Sequence, residues 1–383
     1  MIFFHLSDLH IGLKLVNQSM KEDQEYVLSQ IVRKAQQVQP DAVVIAGDIY
    51  DKSAPSAESV ELFDHFLSDL TQVVPQASIL VISGNHDSPQ RIDLYRSILW
   101  EKKIHMIGNP PGMPEEHIQK VTLYDSVGPV NFYLLPFVRP SMVRQVIGTK
   151  EDGLLFSYND TVHQLIGRET IDETERNVLV SHQFYLPVGQ EADGIERMDS
   201  EIRMVGNIDE VKADVLEQFD YAALGHIHKP MKVGKEVYRY SGTPLACSVS
   251  EAGQQKGIIQ VELGEKGSVK TTVLPLNPLR KVRVIRGKLR DVLLQACEDY
   301  ITVILTDSDD LDVIDMQDRL RAAFPYLLEI RRETRAYDIG RTPFKEEAEL
   351  SAFELCVSFL NEPDEEERAL LRDVINTVQE ERI

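Results

Sequence analysis

Five short apolar runs, each closed by a polar cluster, constrain this chain more than any other feature. They are IFFHLSDLH (2–10), DAVVIAGDIYD (41–51), ASILVISGNHD (77–87), NVLVSHQF (177–184) and FDYAALGHIHKP (219–230). Helix-like stretches, EDQEYVLSQIVRKAQQ (22–37) and SAESVELFDHFLSDL (56–70), separate the first three. Short runs of Val and Ile alternating with helices predict an α/β sheet buried on both faces. Ligands of such sheets sit beyond the carboxyl ends of the strands, and all five polar clusters fall there.

With 383 residues the chain is long enough for two or three domains. Strand-like pieces at 236–242, 256–264 and 269–276 extend the first domain to residue 276, and Leu276–Asn277–Pro278 breaks the pattern. Residues 277–337 read as a small βαβαβ unit, and 338–383 as a helical tail. In the tail, Leu350, Phe353, Val357 and Leu360 form a narrow apolar stripe before Pro363 interrupts. Asp364 is placed to cap a second helix, whose stripe is Leu371, Ile375 and Val378. These helices either pack on their own domain or dock onto another protein.

The three cysteines, Cys247, Cys297 and Cys356, are far apart and in no metal-like spacing, as expected of free thiols in a reducing cytoplasm. The first residues lack the basic stretch and cleavage site of a signal peptide, and no apolar run is long enough for a membrane span. The net charge of −21 argues against simple nucleic-acid binding, which needs Lys and Arg on phosphates. The imbalance is uneven, however: residues 345–383 hold twelve acidic against four basic residues. A metal centre would also add positive charge that the formal count omits.

Taken singly, each polar cluster has an ordinary reading as turn, cap or structural histidine. Together they supply Asp8, His10, Asp48, Asn85, His182, His226 and His228, all at candidate strand ends. Extended geometry would turn Asp8 and His10 to one side, and His226 and His228 likewise. Oxygen and nitrogen donors without thiolate suit manganese, iron or zinc better than magnesium or calcium. Seven side chains are too many for one four-coordinate ion. They suit two ions sharing a carboxylate, the usual device for phosphate ester hydrolysis. Neighbouring residues at a strand end point different ways, so Asn85, His86 and Asp87 need not serve one ion.

D-x-H, G-D-x-x-D, G-N-H-D, a strand-end His and G-H-x-H, in this order across residues 8–228, resemble the calcineurin-like metallophosphoesterase superfamily. More narrowly, HLSDLHIG, AGDIYD, SGNHDSPQR, SHQF, GHIHKP and YSGTPL resemble the bacterial SbcD family of DNA nuclease subunits. The resemblance covers essentially the whole chain. It implies a four-layer sandwich of two sheets flanked by helices, a capping domain at 277–337 that positions DNA, and a tail that grips a partner. It implies one ion on Asp8, His10, Asp48 and His228, and another on Asp48, Asn85, His182 and His226. His86 would stand beside the reacting phosphate as acid or charge stabiliser, with Asp87 aiming it. At Asp51 some relatives carry a His that places the DNA end, so Asp51 would act differently, for instance as a partner of the first metal site. The implied activity is manganese-dependent: exonuclease action in the 3′-to-5′ direction on duplex ends, and endonuclease cuts in single strands and hairpins, in repair, recombination and replication. The implied partner is an SbcC-type coiled-coil ATPase, in a heterotetramer built on a nuclease homodimer. Two rivals stand beside this expectation: a phosphomonoesterase or small-nucleotide phosphodiesterase with the same metal core, and a non-enzymatic scaffold.

Overall fold

The computed structural model describes residues 1–187, 189, 209–307, 313–333, 353, 356–357 and 364–381. The apolar runs form strands that end where their polar clusters begin. β1 (Ile2–Leu6), β2 (Ala42–Ala46), β3 (Ser78–Ile82) and β4 (Ile104–Ile107) lie side by side and parallel. α1 (Lys21–Val38) follows β1 and buries Val27, Leu28, Ile31 and Ala35, the helical spacing of one face. α2 (Ala57–Val73) begins at Ser56, whose hydroxyl accepts the Ser59 amide, and buries Phe63, Phe66 and Leu70.

A second sheet starts with the hairpin of β5 (Gln119–Asp125) and β6 (Gly128–Leu135). After α3 (Tyr158–Gly167) it continues with β7 (Arg176–His182), β8 (Tyr221–Gly225), β9 (Met231–Val233) and β10 (Lys235–Tyr240). The chain then returns to the first sheet through β11 (Gly257–Leu263) and β12 (Val269–Pro275), both antiparallel additions. The strand orders are β12-β11-β1-β2-β3-β4 and β9-β10-β8-β7-β6-β5. The five runs are therefore divided, three in one sheet and two in the other, where periodicity alone suggests one sheet. Phe3, Val44, Leu80 and Ile82 of the first sheet pack on Phe132, Val180 and Ala223 of the second. Each buried Val, Leu, Ile or Phe among them contributes about 1.5–3 kcal/mol. His5 crosses this core: the Tyr221 hydroxyl donates to Nδ1 and Nε2–H donates to the Leu224 carbonyl. α1 and α2 cover the outer face of the first sheet, and α3 covers that of the second, which completes the four layers.

Beyond β12, β13 (Val282–Gly287), α4 (Leu289–Leu293), β14 (Tyr300–Leu305), α5 (Val313–Ala323) and β15 (Leu327–Arg332) form a parallel three-stranded sheet with its own core of Ile285, Val292, Ile301, Val303, Leu320 and Phe324. A polar clamp ties it to the sandwich. The fully buried Asp23 of α1 accepts from the Arg280 amide (3.0 Å), its guanidinium (2.8 Å) and the Tyr300 hydroxyl (2.8 Å). Arg280 also lies over the Tyr326 ring at 4.3 Å.

Of the tail's first stripe, Leu350 and Leu360 lie outside the described residues. α6 (Glu365–Glu381) is present and starts with a reciprocal cap: Glu367 N–H donates to Asp364 Oδ1, and Asp364 N–H to Glu367 Oε2. It touches the turn Pro140–Val143 of the sandwich. Among the described residues, no helix is long and apolar enough to cross a membrane.

Candidate metal centre

The parallel strands of both sheets deliver their carboxyl ends to one place. Past the ends of β1 and β2 the two loops stay paired: Asp8 N–H donates to Gly47 O, His10 N–H to Asp48 O, and Ile11 N–H to Ile49 O. Four site residues have left-handed backbone there: Asp8 (φ 54°), His10 (φ 42°), Asp48 (φ 50°) and His226 (φ 103°). None of these continues its strand, so a spacing of two no longer decides the facing, although Asp8 and His10 still reach one cluster as that spacing suggested. His226 and His228 accordingly turn to different neighbours.

The seven candidate ligands converge, and Asp8, His10, Asp48, His182, His226 and His228 are buried. On one side, Asp8, His10 and His228 form a cluster that could hold an ion, with the His10 and His228 Nε2 atoms 3.1 Å apart. On the other, Asn85 Oδ1 lies 2.9 Å from His226 Nδ1 and 3.1 Å from His182 Nε2. Donors on one ion at right angles and bonded at about 2.1 Å stand about 3 Å from each other. Asp48 lies between the two groups: its Oδ2 is 3.4 Å from His182 Nε2 and 3.7 Å from His10 Nε2.

These donors fit positively charged occupants. His182 Nδ1–H donates to the Ala46 carbonyl at 2.7 Å, which leaves Nε2 as a lone pair facing two oxygen acceptors. Acceptors so placed repel one another unless a proton or a metal ion lies among them. The local electrostatics show the same demand. Burial lowers the His182 pKa, but Asp48 and Asp8 outweigh it and push it up to about 9. Burial also raises Asp48, yet His182, His86 and His10 hold it well below the carboxylate range. His10 is held neutral, chiefly by burial.

His86 is set apart by its exposure, although with His10 and Asp48 it also forms a group close enough together to hold an ion. Its backbone N–H donates to Asp48 Oδ1 at 2.9 Å, and its Nδ1–H donates to the Asp51 carbonyl at 3.0 Å. Nε2 stays 3.9 Å from Asp48 Oδ2, and the side chain is 19% exposed, so a substrate can reach it. Asp87 departs from its expected part. Its carboxylate accepts the amides of Ile49 (3.1 Å), Tyr50 (2.9 Å) and Gly84 (2.8 Å), and so laces the β2 loop to the β3 loop rather than aiming His86. Burial, with Asp48 adding to it, raises its pKa to about 6. The Asp51 backbone, not Asp87, holds the His86 ring. The Asp51 carboxylate stands 3.9 Å from His10 Nδ1, an outer neighbour of the first cluster.

Other contributors escaped the sequence reading. The Gln24 amide donates to the His10 carbonyl (2.7 Å) and accepts the Gly12 N–H (3.0 Å), fixing the first ligand loop. Ser7 donates to Asp8 and is paired with Ser241. Glu251 faces His228 Nδ1 at 3.5 Å. The only sequence signal for Glu251 is its nearness to the YSGTPL stretch at 240–245.

A profile described as calcineurin-like phosphoesterase matches residues 1–230. The chain belongs to that family. Members are metal-dependent hydrolases of phosphoester bonds that use paired divalent ions, and the clusters described above are of a kind that could bind them. Among solved structures, the chain is similar to GAP50, the anchor in the inner membrane complex of Plasmodium, at 12% identity, covering 90% of this chain and 99% of that one with a TM-score of 0.40. It is also similar to a dimetal phosphatase from Danio rerio (13% identity, 72% and 96% covered, TM-score 0.38). TT1561 of Thermus thermophilus matches at 10% identity, with 71% and 98% covered and a TM-score of 0.38. At TM-scores this low the three likenesses carry no weight for activity.

Proposed function

We propose that this phosphoesterase is a DNA nuclease of the SbcD kind, acting on duplex ends, hairpins and single strands with two manganese ions. The observation that supports it best is the three-stranded unit after β12. It is clamped to α1 through Asp23 and Arg280, and its strand β13 packs against the turn Val249–Glu251 beside His228. A monoesterase acting on a small free phosphate has no need of a second folded unit at the rim of its site. A polymer that extends past the cleaved bond does.

Asp8, His10, Asp48 and His228 would hold one ion, and Asp48, Asn85, His182 and His226 the other. Ions there would lower the pKa of water and neutralise phosphate charge. The chain's own groups do the rest. Asp48 orders the His86 loop through its amide, and the Asp51 carbonyl fixes the tautomer that presents Nε2. With a second proton on Nε2, the imidazolium form of His86 would give that proton to the leaving oxygen or stabilise its charge. For a partner, a coiled-coil ATPase would bind the tail, where α6 exposes Leu370 and Val374 one turn apart. That partner would also bring DNA-binding surface, which eases the objection from net charge, the two subunits forming a heterotetramer on a nuclease dimer.

The test is digestion of end-labelled duplex and hairpin oligonucleotides with manganese, beside p-nitrophenyl phosphate. Manganese-dependent DNA cleavage is expected. Robust monoesterase turnover without DNA cleavage, even with the ATPase partner added, would replace this reading with the phosphomonoesterase alternative.

A further inference from the structure

Behind His228, on the side away from His10, lies a buried ion pair. Glu251 Oε2 accepts Lys256 Nζ–H at 2.6 Å, and both residues are almost wholly inaccessible. Thr243 Oγ1 donates to the same oxygen at 3.0 Å, and Ser248 Oγ to Oε1 at 3.1 Å. Lys256 Nζ also donates to the His228 carbonyl at 3.1 Å, so one ammonium holds both the carboxylate and the histidine's backbone.

Removing two charges from water is costly, and an apolar pair of the same volume often serves stability as well or better. A pair retained here calls for another purpose, and its nearest functional neighbour is His228. We propose that Glu251, held by Lys256, is the positioning residue for His228: it accepts the Nδ1–H, fixes the tautomer that turns Nε2 to His10, and makes that nitrogen a stronger ligand. A carboxylate behind a ligating imidazole does this in metal sites generally. The inference rests on the dinuclear reading above.

His228, Cys247 and Glu251 also come close enough together to suggest a third metal site. The Lys256 ammonium already neutralises that carboxylate, which counts against a further cation there. The arrangement serves His228 instead. The second cluster is built differently, because His182 is backed by the neutral Ala46 carbonyl. Loss of Glu251 should therefore fall on one ion and spare the other.

The experiment is calorimetric titration of the metal-free full chain with manganese, for wild type, Glu251→Gln and the charge-free pair Glu251→Gln/Lys256→Met. Melting curves of the metal-free proteins accompany it. Both variants should bind one ion about 10–100-fold more weakly and the other as wild type does. Wild-type affinity at both sites overturns the inference. Equal weakening at both sites together with a lower metal-free Tm assigns Glu251 a merely structural part and overturns it too. A wild type that fails to take two ions defeats the dinuclear reading itself.

Discussion

Gly84→Ala tests how closely the two strand-end loops are interlocked. Gly84 is not among the left-handed glycines, so its backbone accepts alanine and only the methyl group matters. That methyl would lie 2.7 Å from Asp48 Cγ, where ordinary contact begins near 3.4 Å, and it would overlap Oδ1 and the Asp48 amide. Asp48 is poorly placed to yield. Its Oδ1 accepts His86 N–H, and its carbonyl accepts His10 N–H at 3.0 Å. The loop bearing Asn85 and His86 must therefore move outward by the better part of an ångström. Overpacking of this kind costs about 1–3 kcal/mol, which lowers Tm by about 1–4 °C in a chain of this size. Misplacing catalytic groups by about 1 Å costs about 10²-fold in rate. Differential scanning calorimetry and turnover of bis(p-nitrophenyl) phosphate measure the two effects separately. A variant with unchanged Tm and wild-type turnover would show that the loops are slack and that the close approach of Gly84 to Asp48 has no bearing on the site.

Other perturbations separate the roles of individual groups. His86→Ala should keep both ions by metal analysis while losing at least about 10²-fold in cleavage; loss of an ion would make His86 a ligand. Asp48→Ala should weaken both ions together, and normal two-ion occupancy would contradict its placement between the clusters. Arg280→Ala leaves the buried Asp23 without its guanidinium partner and should cost about 3–5 kcal/mol, read as a lower Tm and faster proteolysis near residue 277. Asp125 supplies a pH signature. The bidentate Arg176 guanidinium (2.6 and 2.9 Å) holds its carboxyl well below the usual range. Its stabilisation is thus full above the unfolded pKa of about 4 and is lost as pH falls below it. The Tm gap between wild type and Asp125→Asn should be full at about pH 6 and shrink toward about pH 2, and a gap independent of pH would refute the pairing.

The convergence of the candidate site was legible because the side chains that meet there end apolar runs, and an apolar run is the strongest local signal a chain carries. The division of those runs between two sheets was not legible, because β2 and β7 read alike whichever neighbour each pairs with. β6 went unnoticed since Pro129 and Asn131 interrupt its pattern. Asp87 was visible as a polar residue at a strand end, but its partners are amides of a loop nearly forty positions earlier, and amides leave no trace in residue identity. Glu251 and Lys256 lie in a short turn with no periodicity, and only folding brings them behind His228.

The left-handed backbone at Asp8, His10, Asp48 and His226 has a consequence for how this centre can change over time. Asp, Asn and His are the non-glycine residues most often found in that conformation. At these four positions the main chain and the proposed ions would thus favour the same residue types for unrelated reasons. A substitution that abolishes ligation, such as Asp to Leu, also forces an unsuitable side chain onto the turn and costs on the order of 1–3 kcal/mol in strain. The centre is guarded twice, and a descendant with no further use for phosphoester chemistry would still be slow to erase its signature.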